Sequence, residues 1–420
     1  MLKSWFLQPL WFRVLTAMVA GIIAGLLLGP QADALKPIGD LFIRGIKMLV
    51  VPLVFISLLS GVISMPNPAS LGRIGVKTMA LYLVMAPIAV AIGIGFAVAF
   101  TPVAGTPVDG LLEGGPPDAK SVSILKLITE IVPTNPIAAL AQGDILAIIF
   151  IALLIGIAMI RVGDDAQPLR AFLGSANAVI VRITGWVLET APFGVFALIA
   201  WVVGAQGLAV LVPLLKLIVC LYAACLFHLF VISVLLVIGV GRLNVWRFYR
   251  GILDAMLVAF STSTSSGTLP VTLRCLEKNL GVSRSTSTFV ASLGATVNMD
   301  GTAIYMGMFA LFTAQAFGVE LGFAQYAAIV FTGTLASIGA AGIPSASLVL
   351  LPMVLGSAGL PAEAVALVVG VDRVLDMMRT MTNVTGDAIV AAVVGKLEGT
   401  FDQDVFDGTR AGTDSAAENA

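Results

Sequence analysis

One segment near the C-terminal end, residues 372–387 (DRVLDMMRTMTNVTGD), combines acids, bases and an amide inside an otherwise apolar stretch. At about 100° per residue in an α-helix, six of its polar side chains fall within an arc of about 100°. The apolar flanks PAEAVALVVG and AIVAAVVG place this stripe at membrane depth. Ionisable residues there are costly and usually mark a substrate or ion pathway. The stripe consists of Asp372, Asp376, Arg379, Thr380, Asn383 and Asp387.

The side-chain types in this stripe indicate what it binds. The guanidinium of Arg379 can hold a carboxylate through two parallel hydrogen bonds. Asp376, one turn away on the same face, suits an ammonium group. Together the two residues predict a site for a zwitterionic, acidic small molecule.

The composition of the chain defines its class. Of 420 residues, 59% are hydrophobic and 11% are charged, whereas soluble domains carry about 25% charged residues. The chain is therefore predicted to be an all-α polytopic membrane protein, with the lipid bilayer as its first partner. A net charge of −1 does not fit the clustered basic surface that nucleic acids require, so no nucleic acid partner is expected.

Cysteine and histidine form no metal or redox motif in the sequence. Cys220, Cys225 and Cys275 make neither a CxxC pair nor a disulfide framework. His228, the only histidine, is interpreted as a hydrogen-bonded structural residue, with a proton relay as the alternative. Because the chain also lacks a nucleotide loop and a nucleophile with its base, it is not expected to be an enzyme.

Six apolar runs, each near the length needed to cross about 30 Å of hydrocarbon, organise the first 240 residues. The first is interpreted as a span and not as a signal peptide, because no cleavage site leads into a soluble domain. Basic residues at 65–77 and 241–254 and acidic residues at 102–123 predict a multi-pass plasma (inner) membrane protein with cytoplasmic N- and C-termini. The runs lie near 10–29, 41–64, 76–101, 145–160, 186–204 and 208–240.

Two later segments, 257–276 and 331–355, are apolar at both ends but interrupted by Ser, Thr, Gly and Pro. Pro270 and Pro344 disfavour a continuous helix through each segment. Irregular backbone at membrane depth survives only when it is buried in protein or lines a wet cavity. The pattern therefore predicts two re-entrant helical hairpins.

Each predicted hairpin precedes a helix that carries polar residues, and this repeated order is typical of transporters built from inverted repeats. The helix after the first hairpin contains NMDGT at 298–302, which is predicted to be unwound with free carbonyls. Hard cations such as Na⁺ prefer carboxylate and carbonyl oxygens of this kind. The helix after the second hairpin carries the polar stripe at 372–387.

Four motifs in these segments closely resemble the glutamate transporter family of dicarboxylate/amino acid:cation symporters. They are STSTSSGTLPVTLRCLEKNLGV (261–282), LGATVNMDGTA (293–303), ASIGAAGIPSASLV (336–349) and LDMMRTMTNVTGD (375–387). IKMLVVPLVF at 46–55 also looks like this family, and the resemblance covers residues 10–398.

The resemblance implies a homotrimer with eight transmembrane helices, two re-entrant hairpins and inverted repeats, working by an elevator mechanism. A fixed scaffold would hold helices 1 and 2 (1–75) and helices 4 and 5 with an external loop (102–204). The transport domain would hold helix 3 (76–101) and residues 205–398. Within 205–398 are helix 6, hairpin 1 (254–282), helix 7 (288–317), hairpin 2 (322–357) and helix 8 (361–398). Residues 399–420 are predicted to form a disordered cytoplasmic tail.

Carried over by position, the resemblance assigns both ends of an L-aspartate or L-glutamate substrate. Asp376 would bind the α-amino group, Arg379 the side-chain carboxylate and Asn383 the main-chain carboxylate. The tips of the two hairpins would close the pocket. The remaining substrate-binding residues would be Ser263, Thr264, Ser265, Thr302, Ile343 and Thr380.

The resemblance also assigns sodium sites. Gly294, Asn298, Asn383 and Asp387 match one site, and Thr296, Ser337, Ile338 and Ala340 match a second. A third site would use Tyr82, Asn298 and Asp300, but its hydroxyl positions hold Met85 and Ala86. This departure predicts two Na⁺ sites and a third that is weak or absent.

A second departure concerns an arginine that relatives carry at a hairpin tip or beside the substrate aspartate. Those positions are Ser263 and Met377 in this chain. Arg373, one turn before Met377, either supplies the missing charge or pairs with Asp372 on the helix face.

Three functions from different classes follow. The first is a Na⁺-driven symporter of acidic amino acids. The second is a proton-coupled carrier of glutamate, aspartate or C4-dicarboxylates; for a C4-dicarboxylate, Asp376 would repel the second carboxylate. The third, a channel or receptor, would require a continuous polar pore lining or a soluble ligand domain, and the sequence shows neither.

Overall fold

The computed structural model describes residues 8, 10–63, 68–101, 132–143, 145–208, 211–340 and 342–409. The predicted external loop at 102–123 and residues 410–420 of the predicted tail lie outside these ranges. The described residues contain no β-strand, only one isolated bridge between Val282 and Phe401.

Apart from the seven-residue α4, the N-terminal half consists of long helices. They are α1 (Leu10–Leu28), α2 (Lys36–Ile63), α3 (Pro68–Phe100), α4 (Pro136–Gln142), α5 (Ile145–Val162), α6 (Gln167–Glu189), α7 (Ala191–Gln206) and α8 (Leu211–Phe227). A π-helical turn, His228–Ile232, joins α8 to α9 (Ser233–Gly239).

Shorter and interrupted helices form the C-terminal half. They are α10 (Val245–Thr262), α11 (Ser265–Arg274) with a π turn at Cys275–Asn279, α12 (Arg284–Val297), α13 (Asp300–Ala316), α14 (Phe323–Gly339), α15 (Ala346–Ser357), α16 (Ala366–Val369), α17 (Asp372–Leu397) and α18 (Gln403–Asp407).

Packing separates the helices into two groups. In one group, α1 lies against α7, and α2 packs on α5, α6 and α7. In the other, α17 is enclosed by α10, α12 and α13, while α3 packs on α13 and α14 instead of on α1 or α2. Fewer contacts join the groups, chiefly from α2 to α12 and α15.

Two helical hairpins occur where the sequence is interrupted. In the first, α10 and α11 pack on each other and turn at Ser263–Thr264. In the second, α14 and α15 pack on each other around the tip 340–345. The first arm of the first hairpin begins at Val245 and not at 254, because the Asn244 side chain accepts a hydrogen bond from the Arg247 N–H at 3.0 Å and caps the helix there.

Only part of the NMDGT prediction is correct. Asn298 and Met299 leave the helix, but Asp300 already begins α13. The Asn383 side-chain oxygen accepts from the N–H groups of Gly301 at 2.8 Å and Thr302 at 3.4 Å. These donors lack an intrahelical partner in the first turn, so the amide lets the helix resume early.

The prediction of a disordered tail is wrong for residues 399–409. Ser283 N–H donates to the Thr400 carbonyl at 2.9 Å, and Asp402 N–H donates to Gly281 at 2.7 Å. Phe406 is buried on α18. These contacts dock the segment against the connection between α11 and α12.

Length and composition mark three membrane-crossing helices among the described residues, Phe12–Phe42, Gly72–Phe100 and Leu211–Gly239. A fourth is formed if Phe150–Val187 and Ala191–Ala205, which meet at 44°, make one bent span. Large apolar side chains on these helices face outward, as a bilayer requires. The helices α12, α13 and α17 are not marked as membrane-crossing by length and composition. The first two are short, and the third carries the charged stripe. The count of eight spans therefore stays a prediction.

Candidate functional site: two charged clusters on α17

Arg379 is the centre of the first cluster. Its guanidinium Nη2 lies 2.8 Å from Asp372 Oδ1 and 2.9 Å from Asp376 Oδ1, and the side chain is fully buried. The guanidinium also lies over the Tyr305 ring, 4.2 Å from its centroid. The arginine is thus held by two carboxylates and a cation–π contact, while its Nε and Nη1 have no hydrogen-bond partner in the described part of the chain.

The second hairpin closes directly on this cluster. Ser345 N–H donates to Asp376 Oδ2 at 2.8 Å. Asp376 therefore binds an N–H group at the place where the sequence assigns it a substrate ammonium. Ile343 is half-buried at the same tip.

The two hairpin tips meet at one carbonyl. Gly342 O accepts from Thr264 Oγ1 at 2.7 Å and from Ser266 N–H at 3.1 Å. Ser263 and Ser265 are buried beside this contact, and Thr264 also caps α11 through its hydroxyl. The structure therefore brings together the predicted hairpin residues, with Thr302 and Thr380 buried on α13 and α17.

Arg373 does not enter the Arg379 cluster as an ion-pair partner. Its Nη2 donates to the carbonyls of Ser261 at 3.3 Å and Thr262 at 3.0 Å, the last two residues of α10. Asp372, its alternative partner in the sequence analysis, pairs with Arg379.

The second cluster lies further along α17, around Asp387. Asn298 Nδ2 donates to Asp387 Oδ1 at 3.0 Å, and both residues are buried. Asp300 is fully buried, and neither of its carboxylate oxygens has a hydrogen-bond partner in the described part of the chain; the same holds for Asn298 Oδ1. Buried oxygens of this kind are nearly always satisfied, so they form a donor set that fits a cation.

Two further predicted residues adjoin this cluster. Gly294 lies so close to it that an added Cβ would come within 2.6 Å of the Tyr82 hydroxyl and 2.5 Å of Asp387 Cγ. Tyr82 donates to the Val290 carbonyl at 2.9 Å. Asn383 lies between the two clusters in the sequence of α17; its Nδ2 contacts Met299 Sδ at 3.2 Å, and its oxygen caps α13.

His228 faces the second cluster from the π turn after α8. Its Nε2 lies 3.9 Å from Asp300 Oδ2, and neither ring nitrogen has a hydrogen-bond partner among the described residues. No hydrogen bond in the described residues supports the interpretation of His228 as a hydrogen-bonded structural residue, and the proton-relay alternative stays open. Single π turns occur frequently at functional sites.

The remaining predicted ion ligands are less closely joined. Thr296 donates to Leu293 O at 3.1 Å, and Ser337 donates to Thr334 O at 2.8 Å. Ile338 and Ala340 are buried at the end of α14. Each of the two hydroxyls thus bonds its own helix, and no side-chain hydrogen bond between Thr296 and Ser337 occurs in the described ranges.

Sequence reasoning missed three contributors to the first cluster and the hairpin tips above it, and it missed the pairing of Asp372, a residue of the predicted stripe, with Arg379. Tyr305 has no sequence signal, because an aromatic residue on an apolar helix is ordinary core. Gly342 and Ser345 act through backbone groups. Asp372 had a usable signal, since it lies seven residues, or two turns, before Arg379 on one helix face.

A helix with a buried charged stripe, two hairpins meeting over it and a broken helix beside it make an arrangement typical of membrane transporters with sites at helix interruptions. Residues 10–397 match the model of the sodium:dicarboxylate symporter family, and the chain belongs to that family. This confirms the identification made from the four motifs. Members are symporters and not enzymes.

Relatives named for different substrates match nearly the whole chain. The proton/sodium-glutamate symport protein of Bacillus caldotenax is 33% identical over 94% of this chain and 95% of its own length. The proton/glutamate-aspartate symporter of Escherichia coli (strain K12) is 36% identical, with 93% of each chain covered. The C4-dicarboxylate transport protein of Bacillus subtilis (strain 168) is 31% identical over 94% of this chain and 95% of its own length.

Proposed function

We propose that this chain is a secondary active symporter of L-aspartate or L-glutamate, coupled to Na⁺. The observation that carries the proposal is the buried pair of Asp376 and Arg379, 2.9 Å apart, beneath the closed hairpin tips. An acidic amino acid would replace the internal contacts: its ammonium would take the place of Ser345 N–H on Asp376, and its side-chain carboxylate would bind Arg379. Asn383 would contact the main-chain carboxylate.

The Asp387 cluster supports coupling to Na⁺. Asp300 and Asp387 place two carboxyl groups in a buried region; Asn298 Oδ1, from the first proposed site, and both oxygens of the neighbouring Asp300 lack hydrogen-bond partners in the described chain. A hard cation satisfies such oxygens. Gly294, Asn298, Asn383 and Asp387 would hold one ion, and Thr296, Ser337, Ile338 and Ala340 a second.

Alternating access is proposed to follow an elevator mechanism in a plasma membrane homotrimer with cytoplasmic termini. The two packing groups support a scaffold of α1, α2 and α5–α7 and a moving body that includes α3, the hairpins and α17. Closure of the second hairpin over the site would require substrate and Na⁺ to bind the closed tip better than the open one.

A second candidate is proton-coupled transport of glutamate, aspartate or a C4-dicarboxylate. His228 beside Asp300 favours proton coupling, and so do Met85 and Ala86 at the hydroxyl positions of the third ion site. Asp376 weighs against a C4-dicarboxylate, because it would face a second carboxylate.

Uptake of radiolabelled aspartate into proteoliposomes, with Na⁺ and proton gradients imposed separately, distinguishes these functions. We expect uptake with an inward Na⁺ gradient alone. Uptake that ignores Na⁺ and follows an inward proton gradient would replace the Na⁺ proposal with the second candidate. Succinate uptake without aspartate uptake would contradict the substrate assignment.

A further inference from the structure

Arg373, on α17, binds the C-terminal end of α10, the first arm of the first hairpin. Its Nη2 donates to the carbonyls of Ser261 and Thr262, which close α10. The last carbonyls of a helix lack intrahelical partners, and a cation at this end also interacts favourably with the helix dipole. Arg373 is largely buried, so this interaction is shielded from water.

The residues after this contact form the tip where the hairpins meet. Ser263 follows Thr262 in the left-handed conformation, with φ 54°. A non-glycine residue keeps this backbone conformation only where its surroundings hold it. Thr264 comes next and donates to Gly342 O at 2.7 Å. Arg373 thus binds the chain at Thr262, two residues before Thr264, which makes the contact between the tips.

We infer that Arg373 is a positioning residue for the first hairpin. It ties the carbonyl end of α10 to α17 and so holds Ser263 and Thr264 under the tip of the second hairpin. This role differs from both alternatives of the sequence analysis, a charge for the substrate and a partner for Asp372. It rests on the proposed function only in that the tips enclose the substrate.

The test uses a cysteine reporter at the C-terminal end of α10, which Arg373 binds. Ser261 is exposed, and its carbonyl, not its side chain, accepts from Arg373, so Ser261→Cys leaves the contact in place. The three native cysteines are buried and provide a low background. Maleimide labelling of the full-length protein is measured without substrate, and aspartate uptake is measured in proteoliposomes.

Arg373→Met removes the donors at similar length, and Arg373→Lys keeps a cation. Arg274→Met is the matched control, because Arg274 lies on the second arm of the same hairpin and pairs with Asp254 at 3.0 Å on the exposed surface. We expect Arg373→Met to speed labelling several-fold and to raise the KM for aspartate about tenfold, as loss of a hydrogen bond from a charged group would. Maximal uptake should be largely retained. Arg373→Lys should restore both values, and Arg274→Met should change neither.

Two results would overturn the inference. Unchanged labelling and unchanged KM in Arg373→Met would show that the hydrogen bonds of Arg373 do not position the tip of the first hairpin. A raised KM with unchanged labelling would show that Arg373 acts on the substrate charge directly. If Arg373→Met does not purify as a monodisperse protein, Arg373→Gln replaces it. Because labelling is measured without substrate, it decides the inference even if aspartate proves not to be carried.

Discussion

The two clusters on α17 differ in how their charge is compensated. Around Arg379 the protein supplies its own counter-charges, since Asp372 and Asp376 both contact the guanidinium within 3 Å. Around Asp387 no Lys or Arg forms an ion pair with either Asp300 or Asp387 in the described residues; the only basic neighbour is His228, 3.9 Å from Asp300. The first cluster can close without a ligand, whereas the second needs a cation or a proton from outside.

This difference indicates that the two clusters have different roles. On the proposed function, the Arg379 cluster would exchange internal contacts for equivalent substrate contacts, so that an empty site and a loaded site would both be able to close. The Asp387 cluster has no internal substitute, so its charge depends on the coupled ion. Three predictions test the comparison, and a fourth provides a contrast with an ion pair after the end of α17; they are given in order of expected effect.

Arg379→Ala should have the largest effect, because it leaves Asp372 and Asp376 buried without the cation that pairs them. Loss of one partner of a buried charge pair costs ~2–5 kcal/mol, so the affinity for aspartate should fall at least ~30-fold. Small neutral amino acids should still bind. Isothermal titration measures both, with Arg274→Met as the exposed control. Unchanged aspartate affinity would show that the Arg379 assignment is wrong.

Asp387→Asn should reduce Na⁺-driven uptake about tenfold by removing one charged contact from the ion cluster. Asp300→Asn should have a smaller effect on the Na⁺ dependence, because Met85 and Ala86 offer Asp300 no hydroxyl co-ligands. Aspartate binding titrated against Na⁺ concentration measures both. An equal or larger loss in Asp300→Asn would mean that the third site is functional.

Gly342→Ala tests whether the tips must meet for the Arg379 cluster to close. An added Cβ would lie 2.5 Å from Ala295 O and 3.0 Å from Ser266 N. Overpacking of this kind costs ~1–3 kcal/mol, so aspartate affinity should fall by about tenfold. Gly356→Ala on α15 is the control, since an added Cβ there meets nothing within 4 Å. Equal affinities in the two variants would contradict closure at Gly342.

Glu398→Gln should have the smallest effect, on stability alone. Glu398 follows α17, where Lys77 at 2.5 Å and Arg73 at 3.2 Å pair with its carboxylate. The hydrogen bond from Lys77 lowers the pKa of Glu398. Its stabilisation is therefore present above the ordinary Glu pKa and is lost as the pH falls through the lowered value.

Melting curves of wild type and Glu398→Gln should therefore differ modestly at pH 7 and coincide in strong acid. Because the two basic partners are exposed to solvent, high salt should also reduce the difference. A difference that persists in acid would show that the carboxylate acts through packing and not through its charge.

The sequence by itself determined the features that depend on local pattern. The stripe on α17 follows from the helical period, and both interrupted segments follow from proline, glycine and serine inside apolar runs. Predictions made from composition alone were less reliable: residues 399–409 of the polar tail proved to be docked, and the break in NMDGT proved to be two residues long.

Only the tertiary structure decided which groups complete each cluster. Tyr305 over Arg379, and the Thr264 hydroxyl on Gly342 O at a separation of 78 residues, depend on how separate helices pack. The same holds for His228 beside Asp300 and for Arg373 on the end of α10. A helical period states which side chains share a face, but it carries no information about the helix that the face meets. The partners of a buried charge are therefore set by packing between elements distant in the chain.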